Sequence, residues 1–135
     1  MSDCLFCKIV AGAIPSQKIY EDEKTIAFLD IHPVNAGHTL VISKTHSDKF
    51  LEAELADMQN VLAVIHKITP AILKAVGADS ANISTNNGRA SGQIIFHTHW
   101  HVMPRLATDG YKLWHGKDGM DLPGIAEKIR KEIGV

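Results

Sequence analysis

Long apolar runs, a surplus of charge and a cysteine framework are all missing from this chain. No stretch approaches the roughly 18 apolar residues that a membrane-spanning helix requires. The N-terminus, Met1-Ser2-Asp3-Cys4, lacks the basic and apolar regions of a secretory leader, so a cytoplasmic location is expected. Two cysteines are too few for a secreted, disulfide-built fold. Fourteen Lys and Arg against fifteen Asp and Glu leave a formal net charge of −1, which gives no electrostatic ground for binding nucleic acid or a membrane surface. There is no internal repeat, low-complexity tract or linker to divide the chain. Its 135 residues therefore read as one domain, 1–135. What stands out is histidine, with eight copies.

The apolar pattern implies an α+β fold. Leu5 to Val10 is apolar enough to dock on a core, and Ile14-Pro15 closes that segment. Lys18 to Tyr20 and Thr25 to Leu29 read as short strands joined through Glu21-Asp22-Glu23, and Thr39 to Ile42 as a third. From Leu51 the period changes. Leu51, Leu55, Met58, Leu62, Ile65, Ile72 and Val76 form a helical stripe, widened by Val61, Ile68 and Ala75, that ends at Gly77. Pro70 is expected to kink or break this helix. Asn82 to Thr85 reads as strand, Asn86 to Gly92 as a polar loop, and Ile94 to Met103 as a strand stopped by Pro104. A last helix follows Asp121 as N-cap, with Leu122, Ile125, Ile129 and Ile133 on one face. The expected architecture is a meandering antiparallel sheet packed on one long helix, with a C-terminal helix.

The most informative segment is Phe96-His97-Thr98-His99-Trp100-His101-Val102-Met103. On a strand, His97, His99 and His101 share one face, and Phe96, Thr98, Trp100 and Val102 share the other. Three imidazoles on one face imply a metal or an anion for them to meet. A catalytic metal site is one reading, weakened because no Asp follows the triplet. Nucleophilic attack on phosphorus is the other. Neighbours ~6.6 Å apart along the strand repel when both are charged, so at neutral pH at least one imidazole is unprotonated and nucleophilic.

This segment resembles the signature of the histidine triad (HIT) family, His-φ-His-φ-His-φ-φ, with Thr98 the one poor match at a φ position. The likeness extends through Leu5-Phe6-Cys7-Lys8-Ile9, Ile14-Pro15, Ala27-Phe28-Leu29-Asp30-Ile31, Gly37-His38-Thr39-Leu40-Val41-Ile42 and Asn86-Asn87-Gly88 to Gly92-Gln93. It is greatest to the Hint-like branch, in its bacterial and fungal members. The resemblance implies a HIT fold and a homodimeric purine-nucleotide hydrolase or nucleotidyl transferase, similar to nucleoside phosphoramidases. His99 is then the nucleophile at the α-phosphorus, forming a covalent nucleotidyl-histidine, and His101 binds phosphate and assists the leaving group. Asp30 corresponds to the ribose-binding carboxylate. Phe6, Ile9, Phe28 and Ile31 correspond to the wall of the base pocket, and Asn86, Gly92 and Gln93 to the phosphate loop. Many Hint-like members carry Ser directly after Gly-Gln, where this chain has Ile94. Trp114 matches a C-terminal region that can reach the partner's site. Alternatives are a diadenosine polyphosphate hydrolase and a nucleotide-binding regulatory module with incidental turnover.

Cys4-Leu5-Phe6-Cys7 is a C-x₂-C pair of the kind that grips zinc, although two thiols can also be small buried hydrophobes. A thioredoxin-like redox role fits poorly, because no strand precedes the pair and no helix obviously follows it. The resemblance to zinc-binding bacterial HIT proteins implies a closed structural zinc site formed by Cys4, Cys7, His46 and His97. His38, His66 and His115 have no partner assigned from the sequence, and His32 sits in a turn before Pro33.

Overall fold

Five short segments pair into one antiparallel sheet, seen in a computed structural model that describes residues 3–135. Met1 and Ser2, part of the segment read as lacking a leader, lie outside the described residues. The elements in chain order are α1 (Leu5–Val10), β1 (Lys18–Glu21), β2 (Thr25–Leu29), β3 (Thr39–Ser43), α2 (Leu55–Val76), β4 (Ser80–Thr85), β5 (His99–Arg105) and α3 (Leu122–Ile133). The first three strands form a meander. After α2 crosses over, β5 inserts between β3 and β4, which gives the order β1-β2-β3-β5-β4. Among the described residues no helix is long and apolar enough to cross a membrane.

Strand alternation sends successive side chains to opposite faces, and both faces here are covered. Ala27, Val41 and Val102 meet Met58, Val61, Val64, Ile65, Ile68 and Ile72 of α2. Ile26, Phe28, Leu40 and Ile42 point the other way and pack with Phe6 of α1. That second face carries the candidate site, because α1 covers only part of it.

Several boundaries differ from the sequence reading. Residues 50–52 form a 3₁₀ turn, and α2 starts at Leu55. Leu51 instead donates its N–H to Asn87 Oδ1 (2.9 Å) with its side chain exposed. Leu55 and Leu62 are exposed as well, so the buried stripe of α2 is narrower on that side and includes Val64. Pro70 lies within α2 without ending it. Both Pro70 and His66, whose carbonyl it leaves without an intrahelical donor, are on the exposed face, where water can serve that carbonyl. Gly77 caps the helix at φ 73°, a conformation that costs glycine little.

Strand β5 begins at His99, five residues later than expected, and runs through Pro104 to Arg105. The Thr98 N–H is taken by Ser47 O (2.7 Å), which keeps residue 98 out of the ladder. Pro104 is tolerated because pairing with β3 ends at Val102, while β4 still pairs as far as Arg105. A helix does begin at the cysteine pair: Cys4 is the N-cap of α1, Cys7 lies in its first turn, and the Cys4 sulfur accepts the Cys7 N–H at 3.3 Å.

Candidate active site

Between α1, the end of β2, the 86–95 segment and β5 lies a cleft of about 560 Å³. Phe6, Ile9, Phe28 and Ile31 line its apolar part, with Leu5, Ile14 and Pro15. Asp30, Asn86, Gly92, His99 and His101 supply its polar part. A largely apolar hollow with a few convergent polar groups is the usual form of a small-ligand site.

The hydrogen-bond partners determine which nitrogen of each imidazole carries the proton. His99 Nδ1 lies 2.8 Å from the His97 carbonyl, which can only accept, so Nδ1 is protonated and Nε2 keeps its lone pair. A second chain starts at the Val34 N–H, which donates to His38 Nδ1 (3.1 Å). His38 must then carry its proton on Nε2, 2.9 Å from His101 Nδ1, and donates it there. His101 is left with its proton on Nε2. One lone pair and one N–H, on rings 5.1 Å apart, thus belong to the same cleft.

His38, His97, His99 and His101 are all biased toward the neutral form. Burial lowers the pKa of His101 to about 4, with the neighbouring His99 and His38 adding to the shift. Burial also lowers His99, against the opposing pull of the His97 carbonyl and Asp30. His38 and His97 are lowered for the same first reason. Desolvation therefore outweighs the histidine–histidine repulsion on which the sequence argument relied. Phe6 contributes to this dry setting, with its ring edge-on to His99 at 5.1 Å and to Phe28 at 5.4 Å.

Asp30 has one oxygen engaged, Oδ1 accepting the His32 N–H at 2.8 Å, and its Oδ2 lies 3.7 Å from His38 Nε2. In the loop after β4, the N–H groups of Gly92 and Gln93 are tied to the Arg89 and Gly88 carbonyls. The Asn86 side chain, against Gly92, is therefore the loop's side-chain donor beside the cleft. Gln93 does not line the cleft; its side chain is buried and bonded to backbone groups. Ile94 stands at the rim, 87% exposed.

His97 leaves the row formed by His99 and His101 and turns to a second cluster. Its Nε2–H donates to the Ser43 carbonyl (3.0 Å), and the Nε2–H of His46 donates to Asp48 Oδ1 (2.7 Å). Both Nδ1 lone pairs then face each other at 3.2 Å, among the sulfurs of Cys4 and Cys7. The nitrogen–sulfur distances are 3.3 to 3.5 Å. Four ligand atoms on a tetrahedral zinc ion lie roughly 3.3–3.8 Å apart, given bonds of about 2.05 Å to nitrogen and 2.3 Å to sulfur. With both rings neutral, the two Nδ1 lone pairs converge 3.2 Å apart beside the two sulfurs, an arrangement suited to holding a cation. The donor set and its spacing fit zinc.

Two of these groups escape sequence reasoning. Asp48 orients a metal-site imidazole, and His38 sets the tautomer of His101. The signal for His38 is the β3 alternation, which puts it on the same face as Leu40 and Ile42. It becomes meaningful once β3 is known to pair with β5, Leu40 opposite His101.

The HIT domain family model matches residues 11–108. A solved structure from Streptococcus mutans superposes with a TM-score of 0.92 at 48% identity, covering 98% of this chain and 87% of that one. An adenosine 5'-monophosphoramidase of Schizosaccharomyces pombe is 41% identical over 102 residues, 76% of this chain and 74% of that protein. A zinc-bound histidine triad family protein from Mycobacterium smegmatis is 39% identical with a TM-score of 0.78, covering 86% and 84% of the two chains.

Proposed function

This chain belongs to the HIT domain family, and from that membership we propose that it is a purine-nucleotide hydrolase or nucleotidyl transferase of the nucleoside phosphoramidase type. The observation that carries the reading is the pair of complementary tautomers in one cleft. His99 offers an Nε2 lone pair, and His101 offers an Nε2–H. The apolar wall of Phe6, Ile9, Phe28 and Ile31 takes the base, Asp30 takes the ribose hydroxyls, and Asn86 with Gly92 borders the phosphate. His99 Nε2 forms a bond to the α-phosphorus as the bond to the leaving group breaks. The negative phosphate bound beside His101 favours its imidazolium form; the departing atom keeps the electron pair and receives the Nε2 proton of that imidazolium, which leaves His101 neutral. Water then attacks phosphorus and gives a proton back to His101 Nε2 as the bond to His99 breaks, releasing the nucleoside monophosphate and a His99 that regains its Nε2 lone pair.

In this reading residues 1–135 are one HIT domain, working in the cytoplasm. Cys4, Cys7, His46 and His97 hold a structural zinc ion, which supplies a closed tetrahedral anchor and no open position for substrate. Two thiolates balance its charge. It ties the start of α1, with Phe6, to the segment entering β5. The chain pairs as a homodimer, supported by exposed Leu55 and Leu62 on α2 and by exposed Ile83 on the edge strand β4. Trp114, 96% exposed on the C-terminal arm, belongs to the part of each copy that reaches toward the other's site.

Turnover of adenosine 5'-phosphoramidate to AMP is the direct test. Wild-type protein is expected to turn it over and, when quenched rapidly, to carry an adduct of about 329 Da on His99. His99→Ala is expected to bind AMP and turn over nothing. A variant that keeps the wild-type kcat sinks the nucleophile assignment, and elemental analysis finding less than about a tenth of an equivalent of zinc removes the metal assignment.

A further inference from the structure

Gln93 sits between two sites and lines neither the cleft nor the metal cluster. Its side chain is 3% exposed, and both of its polar atoms are engaged. Oε1 accepts the Gly88 N–H at 2.8 Å, and Nε2 donates to the Asp48 carbonyl at 2.6 Å and the Ile95 carbonyl at 3.0 Å. Gly88, with φ 95°, belongs to the loop whose Asn86 and Gly92 border the cleft. The Asp48 carboxylate accepts a hydrogen bond from the Nε2–H of His46, a member of the Cys4, Cys7, His46 and His97 cluster. A second tie runs beside the first, from the Leu51 N–H to Asn87 Oδ1 at 2.9 Å. Residues 46–51 therefore form a strap, held at one end by the metal cluster and tied along its length to the cleft loop.

We propose that Gln93 is a positioning residue that couples metal occupancy to nucleotide binding. It acts by fixing the loop of residues 86–92 against the strap of residues 46–51. The inference rests on the nucleotide and zinc readings above. With a metal ion drawing His46 toward His97, Cys4 and Cys7, the strap is anchored and Gln93 holds Gly88 in place. With the ion removed, the two facing Nδ1 lone pairs push His46 outward, and the strap loses the anchor on which the loop depends. Linkage makes the effect reciprocal, so nucleotide that orders the loop must tighten the metal by the same factor.

The test is a closed thermodynamic cycle with zinc and AMP as probes. Zinc affinity is measured by chelator competition with and without saturating AMP. AMP affinity is measured by calorimetry on zinc-loaded and chelator-stripped protein. The wild type is expected to show both affinities raised by one common factor, about 5 or more. Gln93→Met, close in volume, is expected to reduce that factor below about 2 while zinc affinity without AMP stays near the wild-type value. Its KM should rise with little change in kcat, because the loop meets the phosphate in ground and transition state alike. Zinc and AMP that each bind the wild type but ignore one another overturn this inference alone, as does full coupling in Gln93→Met. AMP that binds no form of the wild type overturns the functional reading, and this inference with it. Should Gln93→Met fail to fold, the wild-type cycle still decides whether the two sites are coupled.

Discussion

His38 determines which nitrogen of His101 can meet a ligand, although it is absent from the lining of the cleft. Its Nε2–H occupies His101 Nδ1 at 2.9 Å, and the Val34 N–H keeps His38 itself in the required tautomer. In His38→Ala the two His101 tautomers compete, and the proton donor is present only part of the time. A fall in kcat of roughly 10²-fold is expected, with AMP affinity changed far less. Long-range proton–nitrogen spectra check the cause: the wild type should show His101 protonated on Nε2 alone, and the variant a mixture. An unmixed Nε2–H spectrum in the variant would refute the control of the His101 tautomer by His38. At this scale the sequence was most informative where chemistry follows local spacing. The alternating histidines and the Cys4–Cys7 pair could be singled out from their neighbours, whereas Asp30 came only through the family resemblance. His38 and Asp48 could not, because their roles depend on strand pairing and on the path of the 46–51 segment.

Among the elements, α2 shows both the power and the limit of periodicity. Its stripe correctly marks Met58, Val61, Ile65, Ile68 and Ile72 as buried, but the same spacing also selects Leu55 and Leu62, which are exposed. Spacing gives the direction of the apolar face, and the sheet beneath determines how much of it is covered. The β5 boundaries were illegible for a related reason: Ser47 takes the Thr98 N–H, and pairing with β3 stops at Val102, before Pro104 would have to supply an N–H. Ile65→Ala removes a side chain enclosed by the sheet and should cost about 2–5 kcal/mol, read as a lower urea midpoint at unchanged m. For α1, six residues are too few to hold a helix alone, so its order must come from Phe6 packing and from the contacts of Cys4 and Cys7 with His46 and His97 at its N-terminal end. Chelation is expected to speed amide exchange in residues 5–10 and to leave α2 protected. Equal protection of α1 with and without chelator would show that packing alone suffices.

The whole molecule gathers four neutral imidazoles, His38, His97, His99 and His101, around one side of its sheet, and that makes folding sensitive to acid. Each has a folded pKa below its ordinary value, so the folded state resists protons that the unfolded chain accepts. Above pH ~6.5 neither state holds the proton and the stabilisation is complete. As pH falls toward the folded value of about 4 for His101, the unfolded chain gains protons first and stability declines. His101 alone accounts for about 3 kcal/mol across that window, the other three adding in the same direction. Urea midpoints of metal-free protein between pH 7.5 and pH 4.5 should therefore drop steeply. The metal must be absent, because acid also releases thiolate and imidazole ligands and would add its own slope. His101→Gln, which cannot titrate, should give a shallower decline than the wild type. If the two slopes coincide, His101 is charged or hydrated in the folded protein, and the hydrogen bond from His38 Nε2–H to a neutral His101 cannot exist as described.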